Sequence, residues 1–100
     1  MEHRIVIQVE HYGSGLTARL AEMQADLGAA NIEVVLHGEA VRALIGDVQL
    51  PLVNSIIACQ RALRSQQIDP EQLPAGVQVV PSGLAQIVRR QTEGWAYLKL

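Results

Sequence analysis

Residues 4–37 read RIVIQVEHYGSGLTARLAEMQADLGAANIEVVLH, and the order of patterns in this stretch decides the fold. Two short runs rich in β-branched residues, 4–9 and 32–37, flank a segment with apolar residues at helical spacing. The apolar positions of that segment are Leu16, Leu20, Met23 and Leu27. A strand, a helix and a second strand in this order predict a βαβ unit, whose two strands run parallel.

The remaining chain continues this alternation. Further strand candidates are residues 53–58 (VNSIIA), 77–80 (VQVV) and 95–100 (WAYLKL). Helix patterns occupy residues 39–45, 60–66 and 84–92, and residues 69–76 (DPEQLPAG) predict a surface loop with one helical turn. We therefore expect an α/β fold with about five mostly parallel strands and helices on both faces.

The pattern of the last helix also predicts its orientation. Leu84, Ile87 and Val88 lie on one apolar stripe, which we expect to face the sheet. Arg89 and Arg90 are then expected to form a solvated face.

Composition limits both the fold and the function. The 100 residues suit a single domain spanning 1–100, and 49% of them are hydrophobic, with 3% aromatic and no Phe, so we expect an aliphatic core. A net charge of −2 provides no basic surface for nucleic acid. A single cysteine excludes an internal disulfide and a CxxC centre, and favours a reducing compartment.

The same features predict location and cofactors. The first residues do not resemble a signal peptide, and no apolar run approaches the roughly 20 residues that span a bilayer. We expect a cytoplasmic protein without membrane contact. One cysteine and scattered histidines are too few ligands for a structural zinc site, so we expect no metal and no cofactor.

Polar and reactive residues follow four of the predicted strands. In a parallel α/β sheet the carboxyl ends of the strands share one edge, and ligands bind outside that edge. The residues at these positions are Glu10, His11, Tyr12, Gly13, His37, Gly38, Cys59, Pro81, Ser82 and Gly83. The sequence therefore predicts that a functional site would lie there.

Cys59 is the candidate nucleophile of this edge. It stands at a strand-to-helix junction, where free N–H groups and the helix dipole favour a thiolate, and Arg61 and Arg64 add positive potential. His37 is a candidate proton donor or acceptor for the thiol. Two structural alternatives stay open: free cysteines are often buried as small apolar residues, and a histidine at a strand end often bonds to backbone.

Ser82 has a structural role that competes with a catalytic one. It precedes an apolar helix, where serine is a preferred N-cap, and no GxSxG motif surrounds it. Gly13-Ser14-Gly15 lacks both the Walker pattern and GxGxxG, so it is a weak phosphate-loop signal. A third hypothesis is a hydrolase or transferase that uses Ser82 or His37. The sequence offers no paired carboxylates and no triad spacing to support it.

Residues 58–63 (ACQRAL) and 68–100 carry a resemblance to a known family. Together with His37-Gly38, they resemble the small single-domain branch of the DsrE/DsrF-like proteins. In that branch a cysteine ends a strand, GV-x-VVPSG leads into a helix carrying R-x-Q-x-x-G, and an aromatic strand follows. The matching positions are Cys59, residues 76–83, Arg89 or Arg90 with Gln91 and Gly94, and residues 95–100.

The resemblance implies a flavodoxin-like, three-layer fold and a homo-oligomer, commonly a trimer or hexamer. It also implies sulfur transfer as a cysteine persulfide between donor and acceptor proteins. Two departures affect the expected pocket. Residues 39–52 are shorter than the corresponding family segment, and Gln60-Arg61-Ala62-Leu63 replaces the family's N-T-[LM] after the cysteine.

Two functions are therefore expected from the sequence. The first is a sulfur carrier, rather than a multiple-turnover enzyme, with the persulfide on Cys59. Its binding residues would be His37, Gly38, Ser82, Gly83, His11 and Tyr12. The alternative is a non-catalytic homo-oligomeric module that binds a small ligand or serves as a scaffold, with Leu50, Leu52 and residues 95–100 as interface material.

Overall fold

The structure is a computed structural model, and it describes residues 2–13, 15–46 and 53–100. The strands are β1 (His3–Val9), β2 (Ala30–Leu36), β3 (Ser55–Cys59), β4 (Val77–Val80) and β5 (Ala96–Lys99). The α-helices are α1 (Leu16–Leu27), α2 (Gln60–Ser65) and α3 (Gly83–Thr92), and 3₁₀ helices span Gly38–Leu44 and Pro70–Gln72. Ser14, Leu50 and Leu52, which the sequence analysis singled out, lie outside the described residues.

The five strands form one sheet in the order β4-β3-β2-β1-β5, and all neighbouring pairs are parallel. This confirms the predicted α/β fold with its flavodoxin-like layers. The chain steps in one direction from β1 to β4, so right-handed crossovers place these three connections on one face. It then returns to the far side of β1, and this reversed step places α3 on the opposite face.

The larger half of the core lies under α1, the first 3₁₀ helix and α2. Alternate strand residues point to this face, among them Ile7, Val34 and Ala58. Leu20 of α1 and Leu63 of α2 cover them and are almost fully buried. Each such side chain contributes about 1.5–3 kcal/mol through burial, so an aliphatic core suffices without aromatic residues.

Among the described helices, α3 is the one that covers the opposite face. Its buried residues are Val6, Val35, Ile57 and Val80 from the sheet and Ile87 from the helix, with Trp95 packed at one side. The predicted stripe is wrong for two of its three members, since Leu84 is 57% and Val88 61% exposed. Instead, Gly83 and Ile87 are the buried residues of α3.

A buried carboxylate explains this orientation of α3. Glu33 lies in the middle of β2 and is 2% exposed. Arg90 donates from Nε to Glu33 Oε2 over 2.9 Å and from Nη2 to Oε1 over 3.0 Å, and Gln86 Nε2 donates to Oε2 over 3.1 Å. The expectation that Arg90 faces solvent is therefore wrong. Because an unpaired buried charge costs several kcal/mol, the helix turns Arg90 inward and leaves its leucine and valine outside.

The segment predicted as a helix over residues 39–45 is a 3₁₀ helix, Gly38–Leu44. Three residues per turn place Val41 directly above Leu44, and both are buried, so the tighter helix suits this apolar spacing. Gly38 has a φ of +56°, which starts the turn directly after His37. Among the described residues, no helix has the length and apolar character needed to cross a membrane.

Candidate functional site

The carboxyl ends of the strands gather the polar residues that the sequence singled out. Since β1 to β4 are parallel, the residues that follow them lie along one edge of the sheet. In the sheet, β1 lies beside β2, β2 beside β3 and β3 beside β4. The loop after β1, the His37-Gly38 pair, Cys59 and the Pro81-Ser82-Gly83 segment thus follow one another along the edge.

Cys59 is the last residue of β3 and the N-cap residue of α2. It is buried, with 7% of its surface exposed. The sequence predicts that α2 begins at the thiol, and it does. The structure adds a second and longer helix, because α3 begins at Gly83, which lies against Cys59. The positive end of the α3 dipole therefore also lies near Cys59.

Gly83 allows α3 to approach this closely. A Cβ at this position would lie 3.1 Å from Cys59 Cβ, 3.1 Å from Val35 Cγ1 and 3.4 Å from His37 Cβ. These distances are shorter than ordinary side-chain contacts, so a larger residue would push the helix away. The same distances show that Cys59 and His37 are neighbours, since both flank one point beneath Gly83.

Ser82 caps α3, as its position in the sequence predicts. Its Oγ accepts a hydrogen bond from Ala85 N over 3.2 Å, and its carbonyl accepts from Gln86 N over 3.1 Å. The hydroxyl therefore satisfies one of the first N–H groups of the helix. This structural role accounts for serine at position 82 without a nucleophile.

Within the described part of the chain, the His37 ring bonds to a side chain and not, as one alternative held, to the backbone. Its Nε2 lies 2.9 Å from Nε2 of Gln8, whose Oε1 accepts from the Tyr97 hydroxyl. Burial lowers the pKa of His37 from its ordinary value, and the charges of Lys99 and His11 add to this effect. Glu10 opposes it through its negative charge. The neutral imidazole is thereby favoured.

The first loop contributes less to this arrangement than the sequence predicts. His11 is exposed and pairs through Nδ1 with Glu39 Oε1 over 2.6 Å. Tyr12 packs against the core on the face of α1, and its buried hydroxyl has no hydrogen-bond partner among the described residues. Gly38 lies against Glu10, where a Cβ would be 3.2 Å from Glu10 Cγ.

Sequence reasoning named Ser82 and Gly83 at the start of α3 but missed Gln8 and Tyr97 as neighbours of His37. A period-2 reading of residues 3–9 places Gln8 on the same face as Val6, and this signal could have found it. Tyr97 comes beside Gln8 only because β5 pairs with β1, and Gln8 is opposite Lys99 in that register. This pairing joins strands at opposite ends of the chain.

A separate groove lies away from Cys59. It has a volume of about 470 Å³ and lies between α1 and the C-terminal residues, with Leu20, Met23, Leu98 and Leu100 among its lining. Neither Cys59 nor His37 contributes to it. Among the residues the structure describes, no group of three His, Cys, Asp or Glu side chains could hold a metal ion.

Comparisons with known proteins agree with the fold. No family model and no curated protein matches the chain. The structure of a protein of unknown function, MTH1491 from Methanobacterium thermoautotrophicum, is similar, with 33% identity, 98% of this chain and 99% of that chain covered, and a TM-score of 0.86.

The structure of the ychN protein from E. coli is similar with 17% identity, all of both chains covered and a TM-score of 0.71. YchN has the DsrE/DsrF-like fold, and at this identity the likeness concerns the fold alone. The likeness to MTH1491 is closer in sequence and extends over nearly the whole of both chains. This chain therefore belongs to the family of MTH1491 and shares the DsrE/DsrF-like fold of YchN.

Proposed function

We propose that this protein carries sulfane sulfur as a persulfide on Cys59. The observation that carries the proposal is the position of this residue at the carboxyl edge of the sheet, where parallel α/β folds bind ligands, against the start of α3 and near His37. The resemblance of residues 58–63 and 68–100 to DsrE/DsrF-like proteins and the fold shared with YchN support the same function.

The transfer needs only a thiolate and a persulfide donor. The Cys59 thiolate attacks the outer sulfur of a donor persulfide, R–S–SH. The donor S–S bond breaks, R–S⁻ leaves, and Cys59 retains the outer sulfur as Cys59–S–SH. The proton that the Cys59 thiol lost goes to the donor thiolate. An acceptor thiolate repeats the attack on Cys59–S–SH and restores the thiol, so no external oxidant or reductant takes part.

The surroundings of Cys59 suit this chemistry. The first N–H groups of a helix have no acceptor within the helix, and the start of α3 lies against Cys59. They favour the negative charge of a thiolate or a persulfide anion. Only 7% of the Cys59 surface is exposed, so the proposal requires donor and acceptor to reach the sulfur through this small opening.

Cyanolysis tests the proposal directly. The protein is incubated with glutathione persulfide, desalted and treated with cyanide, which removes sulfane sulfur as thiocyanate. We expect about one thiocyanate per wild-type chain and none from Cys59→Ser or Cys59→Ala, in keeping with persulfide as a reversible modification of thiolates. Ser82→Ala is the control and should load normally. Unloaded wild type, under conditions that load an established carrier, would contradict the proposal.

A second candidate function is a non-catalytic, homo-oligomeric module, a trimer or hexamer. The exposure of Leu84, Val88 and Tyr97 favours it, because large apolar side chains on one side of a small domain mark contact surfaces. In this case the burial of Cys59 reflects packing only.

Size-exclusion chromatography with light scattering distinguishes an oligomer from a monomer. We expect wild type to elute as an oligomer and the double variant Leu84→Glu/Val88→Glu to elute as a monomer. Leu27→Glu, at an exposed leucine of α1 on the other face, is the matched control and should not change the state. A wild-type monomer at all concentrations would contradict the oligomer.

A further inference from the structure

β5 is an edge strand, and part of its main chain faces away from the sheet. It pairs with β1 on one side, and among the described strands none lies on its other side. Leu100, which follows β5, donates its N–H to the Gln8 carbonyl over 3.0 Å. Because the main-chain groups of successive residues alternate between the two sides of a strand, those of Tyr97 and Lys99 are directed to the open side. They provide donors and acceptors for a further strand.

The groove between α1 and the C-terminal residues borders this edge. Leu98 and Leu100 are half-buried and pack against the core on the α1 face, together with Leu20 and Met23. The helix α1 connects β1 to β2, so it leaves the same face of β5 partly open. The resulting groove of about 470 Å³ has space for the side chains of a strand that lies beside β5.

Charged residues of α1 give the rim of the groove a preference for cations. Glu22 and Asp26 lie on this rim with Arg19, and all three side chains are exposed. Within the described part of the chain, none of the three forms an ion pair. Two carboxylates beside one guanidinium leave the rim with a net negative charge, which favours a Lys or Arg side chain on a partner. On the other face of β5, exposed Lys99 favours an acidic one.

We propose that this edge binds an extended segment of a partner protein, which adds a strand beside β5. Every second residue of the segment faces α1, and these residues are apolar, apolar and basic. The apolar ones enter the groove beside Leu98 and Leu100, and the basic one meets Glu22 and Asp26. Main-chain hydrogen bonds to β5 supply affinity, and the alternate side chains supply specificity.

A second copy of this chain fits the groove less well than such a segment. By the alternation of a strand, β5 presents Ala96 and Leu98 to the α1 face and Lys99 to the other. The opposite edge strand, β4, reads VQVV and contains no basic residue. Neither edge strand would place a cation against Glu22 and Asp26, so the occupant is a different chain.

A short peptide tests the proposal by NMR titration of the nitrogen-15-labelled protein. The peptide Val-Thr-Val-Glu-Lys-Thr, when extended, carries both valines and the lysine on one face and the glutamate on the other. We expect the backbone amides of Tyr97 and Lys99 to shift and to exchange more slowly with solvent. The Leu100 amide, already bonded to Gln8, should retain its exchange rate.

A second peptide with the same composition and net charge is the matched control. In Val-Thr-Val-Lys-Glu-Thr the exchanged neighbours turn the lysine toward Lys99 and the glutamate toward Glu22 and Asp26. We expect this peptide to bind about threefold more weakly or less, as exposed charge pairs contribute modestly. Glu22→Lys should reduce the difference between the peptides. Glu71→Lys, at an exposed position outside the groove, should leave the difference unchanged.

Other results would overturn the proposal. Equal binding of the two peptides to wild type, or shifts that omit both β5 and the groove, would contradict strand addition at this edge. No binding of the first peptide at millimolar concentration would contradict it as well. If the Tyr97 and Lys99 amides shift when the protein alone is concentrated, a second copy occupies the edge instead of a partner segment. None of these results depends on Cys59, so they are independent of the persulfide.

Discussion

Arg90 holds the buried carboxylate of Glu33 by two hydrogen bonds, of 2.9 Å from Nε and 3.0 Å from Nη2. The guanidinium also donates to Glu93 over 2.9 Å and lies over the ring of Trp95, with its centre 4.7 Å from the ring centroid. Its hydrogen bond to Glu33 is the main cause that raises the pKa of Arg90. This contact joins α3 to the centre of the sheet and so determines which residues of the helix meet Cys59.

Replacing Arg90 should therefore destabilise the fold, and replacing its neighbour should not. Arg90→Leu leaves Glu33 buried with Gln86 as its one remaining partner among the described residues, and we expect a loss of about 3 kcal/mol in the free energy of unfolding. Arg89→Leu, at the adjacent exposed position, should change it by less than about 0.5 kcal/mol. Urea unfolding measures both.

A double variant tests whether the unpaired charge causes the loss. Removing both charges with Glu33→Leu/Arg90→Leu leaves no buried ion, so we expect it to be more stable than Arg90→Leu alone. If the double variant is less stable than the single one, loss of helix contacts rather than the stranded carboxylate explains the effect.

Gly83→Ala tests the close contact between α3 and Cys59. The added Cβ would lie 3.1 Å from Cys59 Cβ and from Val35 Cγ1, so we expect a destabilisation of about 1–3 kcal/mol. Gly13→Ala is the matched control, because a Cβ there meets no atom of the described residues within 4 Å. Thermal unfolding should separate the two variants, and equal melting temperatures would show that α3 does not pack this closely on Cys59.

Ser82 should contribute to stability and not to sulfur loading. Ser82→Ala removes the cap of α3, and we expect a loss of about 1 kcal/mol in unfolding free energy, whereas Ser82→Asp should retain most of it. Both variants should release as much thiocyanate as wild type after loading. A folded Ser82→Ala protein that no longer loads would instead assign the hydroxyl a role in the chemistry.

The lowered pKa of His37 makes the folded protein less stable as the pH falls below 6.5. Burial lowers the pKa of His37 in the folded protein below its unfolded value of 6.5. Between the folded pKa and 6.5 the unfolded chain binds more protons than the folded chain. The free energy of unfolding therefore falls as the pH decreases from 6.5 toward the folded pKa of His37. Above pH 6.5 this contribution to stability is fully present. We expect His37→Gln to reduce this slope, measured by urea unfolding at several pH values.

The control for this prediction is His3→Gln, at an exposed position at the start of β1. This variant should retain the wild-type slope below pH 6.5. A slope that disappears with His3 and persists without His37 would contradict the account of the buried imidazole.

The sequence predicts the order of strands and helices because the spacing and type of the apolar residues differ between these elements. The β-branched runs of residues 4–9 and 32–37 and the helical spacing from Leu16 to Leu27 are local signals, and the two strands and the helix are confirmed, although Leu27 at the end of the stripe is exposed. The orientation of α3 is not local. Glu33 and Arg90 are 57 residues apart, and their contact outweighs the apolar stripe of Leu84 and Val88.

The candidate site likewise has features that follow from adjacent residues and contacts that depend on distant ones. The position of Cys59 and the capping role of Ser82 follow from adjacent residues and were predicted. The contact of Gly83 with Cys59 depends on β4 lying beside β3, and the contact of Gln8 with Tyr97 depends on β5 lying beside β1. Strand order follows from the whole chain, so neither contact could be predicted from local spacing.

The intact mass of the protein after exposure to a persulfide donor tests the central claim most directly. Because Cys59 is the single cysteine, a gain of one sulfur atom by the wild-type chain, absent from Cys59→Ser and reversed by dithiothreitol, is the predicted result. An unchanged wild-type mass, measured beside a carrier that does gain sulfur, would contradict the claim.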